Sequence, residues 1–193
     1  MYIILIIIAV LVIFSISLYN RLVTLKVRTR ESWADISIQL KRRYDLIPNL
    51  VDTVKGYASH EQGTFKDVVD ARSRATSMNI DIANVDASQL EAFASAQQGI
   101  TGALGKLLAV AEAYPDLKAD KNFLELQREL SDTENKIQAA RRFYNTMVRD
   151  YETAILTFPS NIFAKMFGFG SREFFELPID SEERDNVDIN FAQ

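Results

Sequence analysis

The sequence contains no cysteine. That removes disulfides, thiolate nucleophiles and iron–sulfur ligation, and it leaves either side of a membrane open as a location. There is one histidine, His60, which closes the Glu-x-x-His chemistry of two-metal carboxylate bundles. Four prolines and seven glycines in 193 residues leave no long low-complexity linker, and no repeat of roughly 20 to 50 residues is present. A net charge of −4 and a pI near 5.1 argue against nucleic acid as a partner, because phosphate binding needs basic surface. Up to Pro159 no segment shows the two-residue alternation of a strand. Charge is missing altogether from Ile3 to Leu18.

That uncharged run is what the chain does have. Thirteen of its sixteen residues are Ile, Leu, Val or Phe, the others being Ala9, Ser15 and Ser17. At its bilayer transfer values the run favours insertion by on the order of 4 to 8 kcal/mol. Hydrocarbon cannot hydrogen-bond a bare backbone, so the segment must be helical. Tyr2 to Leu22 then covers about 30 Å, with Ile3, Ile7, Leu11, Phe14 and Leu18 as anchor residues and Tyr19 in the interface. A cleaved secretory signal would want a basic n-region and a small-x-small site; Ser15-Ile16-Ser17 is a poor one. Arg21, Lys26, Arg28 and Arg30 follow the span with no Lys or Arg before it. The positive-inside rule therefore places the body in the cytoplasm and the N-terminus outside. Near anionic lipid headgroups each of these cations is worth about 1 kcal/mol.

Beyond the span, apolar residues recur in steps of three and four. Trp33, Ile36, Leu40, Tyr44, Ile47, Val51, Val54 and Ala58 form one seam, predicting a helix from about Val23 to Ala58 that continues the span. Pro48 lies inside it and crowds the carbonyl of Tyr44, so a kink is expected there. A second helix to about Met78 carries Phe65, Val68, Arg72 and Ala75, with Ser59 or Thr64 as its N-cap. Ser88 and Glu91 read as a capping box for a third, with the seam Leu90, Phe93, Gln97, Ile100, Leu104, Leu107 and Ala111, ending by Tyr114-Pro115. A fourth runs from Lys121 to Phe158, capped by Asp120, with the seam Phe123, Leu126, Leu130, Ile137, Ala140, Tyr144, Val148, Tyr151, Ile155 and Phe158. The predicted fold class is all-α: an N-terminal transmembrane helix (1–22), an antiparallel up-and-down four-helix bundle (23–160), and an extended aromatic and acidic C-terminal segment (161–193). In that last segment Val187, Ile189 and Phe191 alternate like a strap.

Few residues point to chemistry. His60-Glu61 begins like a zinc-protease HExxH helix, but Thr64 stands at the second ligand position. Gly99, Gly102, Gly105 and Lys106 resemble a phosphate loop, yet Ile100 and Leu107 occupy positions that motif needs and no strand precedes it. Their plainer reading is close approach of another helix backbone. Lys41-Arg42-Arg43 spreads over several helix faces and is expected to pair with acidic neighbours. Arg72, Glu112, Glu134, Arg141 and Asn145 flank the apolar seams, which predicts a structural ion-pair network among Arg72, Glu112, Glu134 and Arg141. Phe163, Phe167, Phe169, Phe174 and Phe175 either seal one end of the bundle or form a docking surface for a partner or the bilayer. No catalytic residue, metal or cofactor is expected.

Ser32-Trp33-Ala34-Asp35-Ile36, Gln39 through Ala58 (QLKRRYDLIPNLVDTVKGYA), His60-Glu61, Ala71-Arg72-Ser73 and Leu108 through Ala119 (LAVAEAYPDLKA) resemble the LemA family of bacterial membrane proteins. Asn122-Phe123, Leu126-Gln127, Glu129-Leu130, Thr133-Glu134-Asn135-Lys136-Ile137, Ala140 through Asn145 and Phe158-Pro159 continue the likeness, which covers essentially the whole chain. Lys136 departs from the Arg that family members often carry there, so a bidentate pair at that point is not carried over. The resemblance implies a single-pass protein with a cytoplasmic helical bundle and a role in membrane organisation through a magnetosome-membrane relative, and it carries over no catalytic residues. Together these readings predict a non-enzymatic scaffold or adaptor in the cell membrane. Its expected partners are membrane lipid, an unidentified membrane or envelope protein and a second copy of the chain (a homo-oligomer). A lipid-binding or membrane-organising module is the alternative.

Overall fold

The computed structural model describes residues 1–176. Among these, six helices and no strand are present: α1 (Tyr2–Lys55), α2 (Gln62–Ser77), α3 (Ala87–Ala111), α4 (Pro115–Ala119), α5 (Lys121–Leu156) and α6 (Ser160–Met166). The tail containing Val187, Ile189 and Phe191 lies outside the described residues.

The apolar run and the first amphipathic seam form one helix. α1 has 54 residues, about 80 Å, and passes Leu22 and Val23 without a break. Its apolar N-terminal part is long enough to cross a membrane, and none of that part is buried against the rest of the chain. Pro48 lies within the helix, which continues to Lys55.

The body assembles by pairing. α1 packs along α5, and α2 packs against α3. Thr29 Oγ1 donates to the carbonyl of Met147 (3.4 Å), Arg43 meets Glu134 (2.9 Å) and the Tyr57 hydroxyl meets Asp120 (3.1 Å). Residue numbers on α5 therefore fall as those on α1 rise. Three clusters fill the interior. Nearest the apolar run are Leu22, Tyr151, Ala154, Ile155 and Ala164. Trp33, Ile36, Leu40, Phe93, Tyr144 and Val148 lead the next, and Ile47, Val54, Phe65, Ile100, Leu107 and Phe123 lead the farthest. Each fully buried Leu, Ile, Val or Phe contributes about 1.5 to 3 kcal/mol.

Local chemistry explains the helix ends, in places against expectation. Asp120 caps α5 by accepting from Phe123 N–H (2.9 Å). The capping box of α3 is Asp86 with Gln89, not Ser88 with Glu91. A carboxylate two residues earlier takes the amide, and the Ser88 hydroxyl bonds to that carboxylate (2.7 Å). Neither Ser59 nor Thr64 caps α2, whose N-cap is Glu61 without a side-chain bond. α4, with Pro115 in its first turn, buries Leu117 between the two long helices it joins.

Two seam positions differ as well. Arg43, not Tyr44, is the fully buried residue between Leu40 and Ile47. At the far end of the α5 seam Phe158 is 80 % exposed, because α5 stops at Leu156 and the chain leaves it extended at Thr157.

Candidate functional site

A polar chain crosses the apolar interior midway along the body. Arg43, 1 % exposed, donates from one terminal nitrogen to Glu134 Oε2 (2.9 Å) and from the other to the Gln97 side-chain oxygen. Gln97 in turn donates to the Tyr44 hydroxyl (2.6 Å). Burial pushes the Tyr44 phenol above its ordinary value, while Gln97 and Arg43 oppose that shift. Beside the chain lies a cleft of about 250 Å³ lined by Arg43, Gln97, Glu134, Ile137, Arg141 and Phe175. Burial lowers the Arg141 guanidinium, with Arg142 adding to the shift and Glu134 opposing it. A buried arginine needs its hydrogen bonds met, and these helices meet most of them; only Nε is without a partner among the described residues.

The four charges singled out from sequence do not form one network. Glu134 pairs with Arg43. Glu112 pairs with Lys118 at the surface (2.5 Å). Arg141 lines the cleft, and Arg72 makes no ion pair among the described residues. Instead Arg72 Nε donates to the backbone carbonyl of Tyr44 (2.8 Å). That carbonyl is the one Pro48, four residues on and lacking an N–H, leaves open in α1. Lys41-Arg42-Arg43 divides as its helix spacing requires: Arg43 is buried, and Arg42 lies 3.9 Å from Glu129 at the surface.

The three glycines of α3 do not serve a close helix approach. A Cβ at Gly99, Gly102 or Gly105 would meet no atom within 4 Å among the described residues. That face opens onto a shallow groove with Asp67, Asp70, Arg74 and Lys106, where Lys106 and Asp67 stand 3.7 Å apart.

After α6 the chain doubles back along α5 as a strap. Gly168, at φ +69°, supplies the left-handed turn, and Phe169 N–H reaches the Ala164 carbonyl (2.9 Å). Tyr151 then donates to the Gly170 carbonyl (2.9 Å), Arg172 N–H to Glu152 (2.6 Å), and Tyr144 to the Glu173 carbonyl (2.8 Å). Burial pushes the Tyr144 and Tyr151 phenols up. The Arg172 guanidinium reaches the carbonyls of Ile82 and Ala83, tying down the loop before α3. Asn145 holds both backbone groups of Phe175, accepting its N–H (2.9 Å) and donating to its carbonyl (3.1 Å). Phe175, 2 % exposed, lies between Trp33 (5.5 Å between ring centres) and Phe93 (5.8 Å). It is therefore a core residue and not part of a docking surface. Phe174, the residue before it, is exposed.

The remaining aromatics gather where α1 leaves its apolar run. Tyr19 meets Phe167 edge-on at 4.9 Å and Phe169 at 5.9 Å. Lys26 Nζ lies 5.6 Å over the Phe169 ring, an arrangement a ring quadrupole favours. Phe163 and Phe169 are half-buried against Leu22 and Ala164, whereas Phe167 is exposed. Arg21, Arg28 and Arg30 are exposed on the same stretch of α1, as are the anchor positions Ile3, Ile7, Leu11 and Phe14; Leu18 is half-buried. Around this collar Leu156, Phe158, Ile162 and Met166 are also exposed. Sequence reasoning placed Phe158 on the buried seam of the fourth helix and did not single out Leu156. Among the described residues no group of three His, Asp or Glu side chains is placed to hold a metal.

The LemA family matches residues 32–191. Magnetosome protein MamQ 2 of Paramagnetospirillum magneticum is 26% identical over 175 residues, covering 82% of this chain and 64% of the relative. Protein LemA of Metamycoplasma hominis is 29% identical over 153 residues, covering 79% and 64%. Magnetosome protein MamQ of Magnetospirillum gryphiswaldense is 25% identical over 174 residues, covering 81% and 64%. The chain thus spans slightly under two thirds of the length of these curated relatives. With the family match running over most of its residues, the chain belongs to the LemA family.

Proposed function

We propose that the chain is a single-pass, membrane-anchored scaffold or adaptor without catalytic activity of its own. In this reading an antiparallel four-helix bundle binds protein partners at the cytoplasmic face of the cell membrane. The observation that carries it is the unbroken course of α1 from an unburied apolar run into the packed interior. A helix of that kind couples a bilayer rigidly to a body that can present a surface at a fixed height. The buried polar groups support the same reading, since Arg43, Gln97, Glu134, Arg72 and Asn145 are engaged in holding helices and strap together. Relatives named for a cellular structure, the magnetosome, rather than for a reaction agree with it.

Crosslinking in cells that express the full chain, followed by detergent extraction and capture, tests this. Discrete envelope proteins or a homo-oligomer should be enriched. Recovery of a monodisperse monomer with no enriched partner would contradict it. Sidedness follows from protease added outside: the C-terminus should survive in intact cells and in spheroplasts, and be cleaved only after lysis.

A further inference from the structure

We infer that the tip of the body formed by the end of α5 and α6 is a second membrane contact. Leu156, Phe158, Ile162, Met166 and Phe167 enter the lipid interface beside the span. The inference rests on the proposal that the apolar part of α1 crosses a bilayer.

The level of this tip is fixed by the pairing of α1 with α5. Thr29 lies against Met147, Arg43 against Glu134 and Tyr57 against Asp120, a one-for-one register. Leu22 packs in one cluster with Ile155, as that register requires. Leu156, the last residue of α5, therefore stands level with Arg21 and Asn20, two residues from the end of the uncharged run, and α6 packs against both α1 and α5 just beyond it. Phe167 independently reports the same level, its ring 4.9 Å from that of Tyr19. When α1 spans a bilayer, these side chains lie at the boundary between hydrocarbon and headgroups.

Their chemistry suits that level. Leu156 is 71 % and Phe158 80 % exposed, and Ile162, Met166 and Phe167 are more than half exposed. Large apolar side chains exposed in this number are costly in water, whereas aromatic and aliphatic side chains are favoured in the interfacial zone. α6 presents Ile162 and Met166 four residues apart on one face, the pattern of a helix lying in the interface. Exposed cations accompany them: Lys165 on α6, and Arg21 and Lys26 on α1. They are placed for lipid phosphate while the apolar groups dip below it. Lipid is the occupant because the patch continues an apolar surface, that of α1, which lipid already covers in the proposed arrangement. Two attachment points would also hold the body at a set tilt.

The absence of cysteine allows a direct test with single labels. The full chain carrying Phe158→Cys or Ile162→Cys, each with an environment-sensitive fluorophore, is reconstituted in vesicles of phosphatidylcholine and phosphatidylglycerol. Phe14→Cys reports the span, and Ile38→Cys reports an exposed position on the body. Labels at 158 and 162 should emit to the blue of the label at 38 and be quenched by lipid carrying a spin label near its headgroup. Quenching at 14 with 158 and 162 behaving like 38 would overturn the inference and leave the span intact. Blue-shifted emission at 158 and 162 that lipid does not quench, and that varies with protein density, would assign the patch to a second copy and also overturn it. No quenching at 14 by spin labels at any depth would remove the span, and this contact with it.

Discussion

At the scale of single residues, Pro48 and Arg72 belong to one account. Proline takes an N–H out of α1, the Tyr44 carbonyl loses its helical donor, and Arg72 from α2 replaces it at 2.8 Å. Arg72→Ala should cost about 1 kcal/mol, the low end of the range for orphaning an acceptor, because the bond is only partly buried. In a Pro48→Ala background the restored N–H serves the same carbonyl, so the Arg72→Ala cost should shrink. A double-mutant cycle by denaturant unfolding in detergent reads the coupling, and additive effects would refute it. The capping aspartates contribute to the acid limb of stability. Amide donors hold the Asp86 and Asp120 carboxyls below the ordinary aspartate value, Gln89 N–H and the Ser88 hydroxyl for the first, Phe123 N–H and the Tyr57 hydroxyl for the second. The unfolded chain then binds more protons than the folded one as pH falls below about 4, so stability present above that pH is lost progressively beneath it. Asp120→Asn, which still caps, should flatten that decline in melting temperature while changing neutral-pH stability little. An unchanged acid limb would assign the decline to other groups.

At the scale of elements, the helices were legible because burial follows the 3.6-residue period: every residue of the α3 seam from Leu90 to Ala111 is buried. What escaped was whatever depends on a partner distant in sequence. Arg43 occupies a seam position because Glu134 and Gln97 meet it there, and no local pattern announces those partners. Whether Phe175 seals the bundle or faces outward stays open in the sequence until the strap carries it between Trp33 and Phe93. The α3 glycines read as a packing device but face open space, so Gly99→Ala and Gly102→Ala should each stabilise the body by about 0.4 to 1 kcal/mol. A loss of stability, or loss of a crosslinked oligomer, would instead make that face a contact between copies. The strap makes a separate prediction. Asn145→Ala removes both bonds to Phe175 and should expose the segment around Glu173 and Glu176 to limited proteolysis before the helices unfold. Equal resistance in both proteins would mean that Phe175 packing alone holds the strap.

At the scale of the whole molecule, the chain is a long rod with one end apolar and unburied and the rest folded around a core. The uncharged run from Ile3 to Leu18 was legible from composition alone, and it lies unburied among the described residues. The collar around Tyr19 was only half legible: its aromatics were visible, but their level on the rod required the α1–α5 register. Alkaline carbonate extraction of membranes from cells making the full chain tests the central claim most directly. Alkali works against the body, because burial holds the Tyr44, Tyr144 and Tyr151 phenols above their ordinary value. The unfolded chain sheds those protons above about pH 10, so the body loses stability there while an inserted helix is unaffected. The chain should remain wholly with the membrane pellet after washing. Release into the supernatant would contradict the anchor, and with it the scaffold built on that anchor.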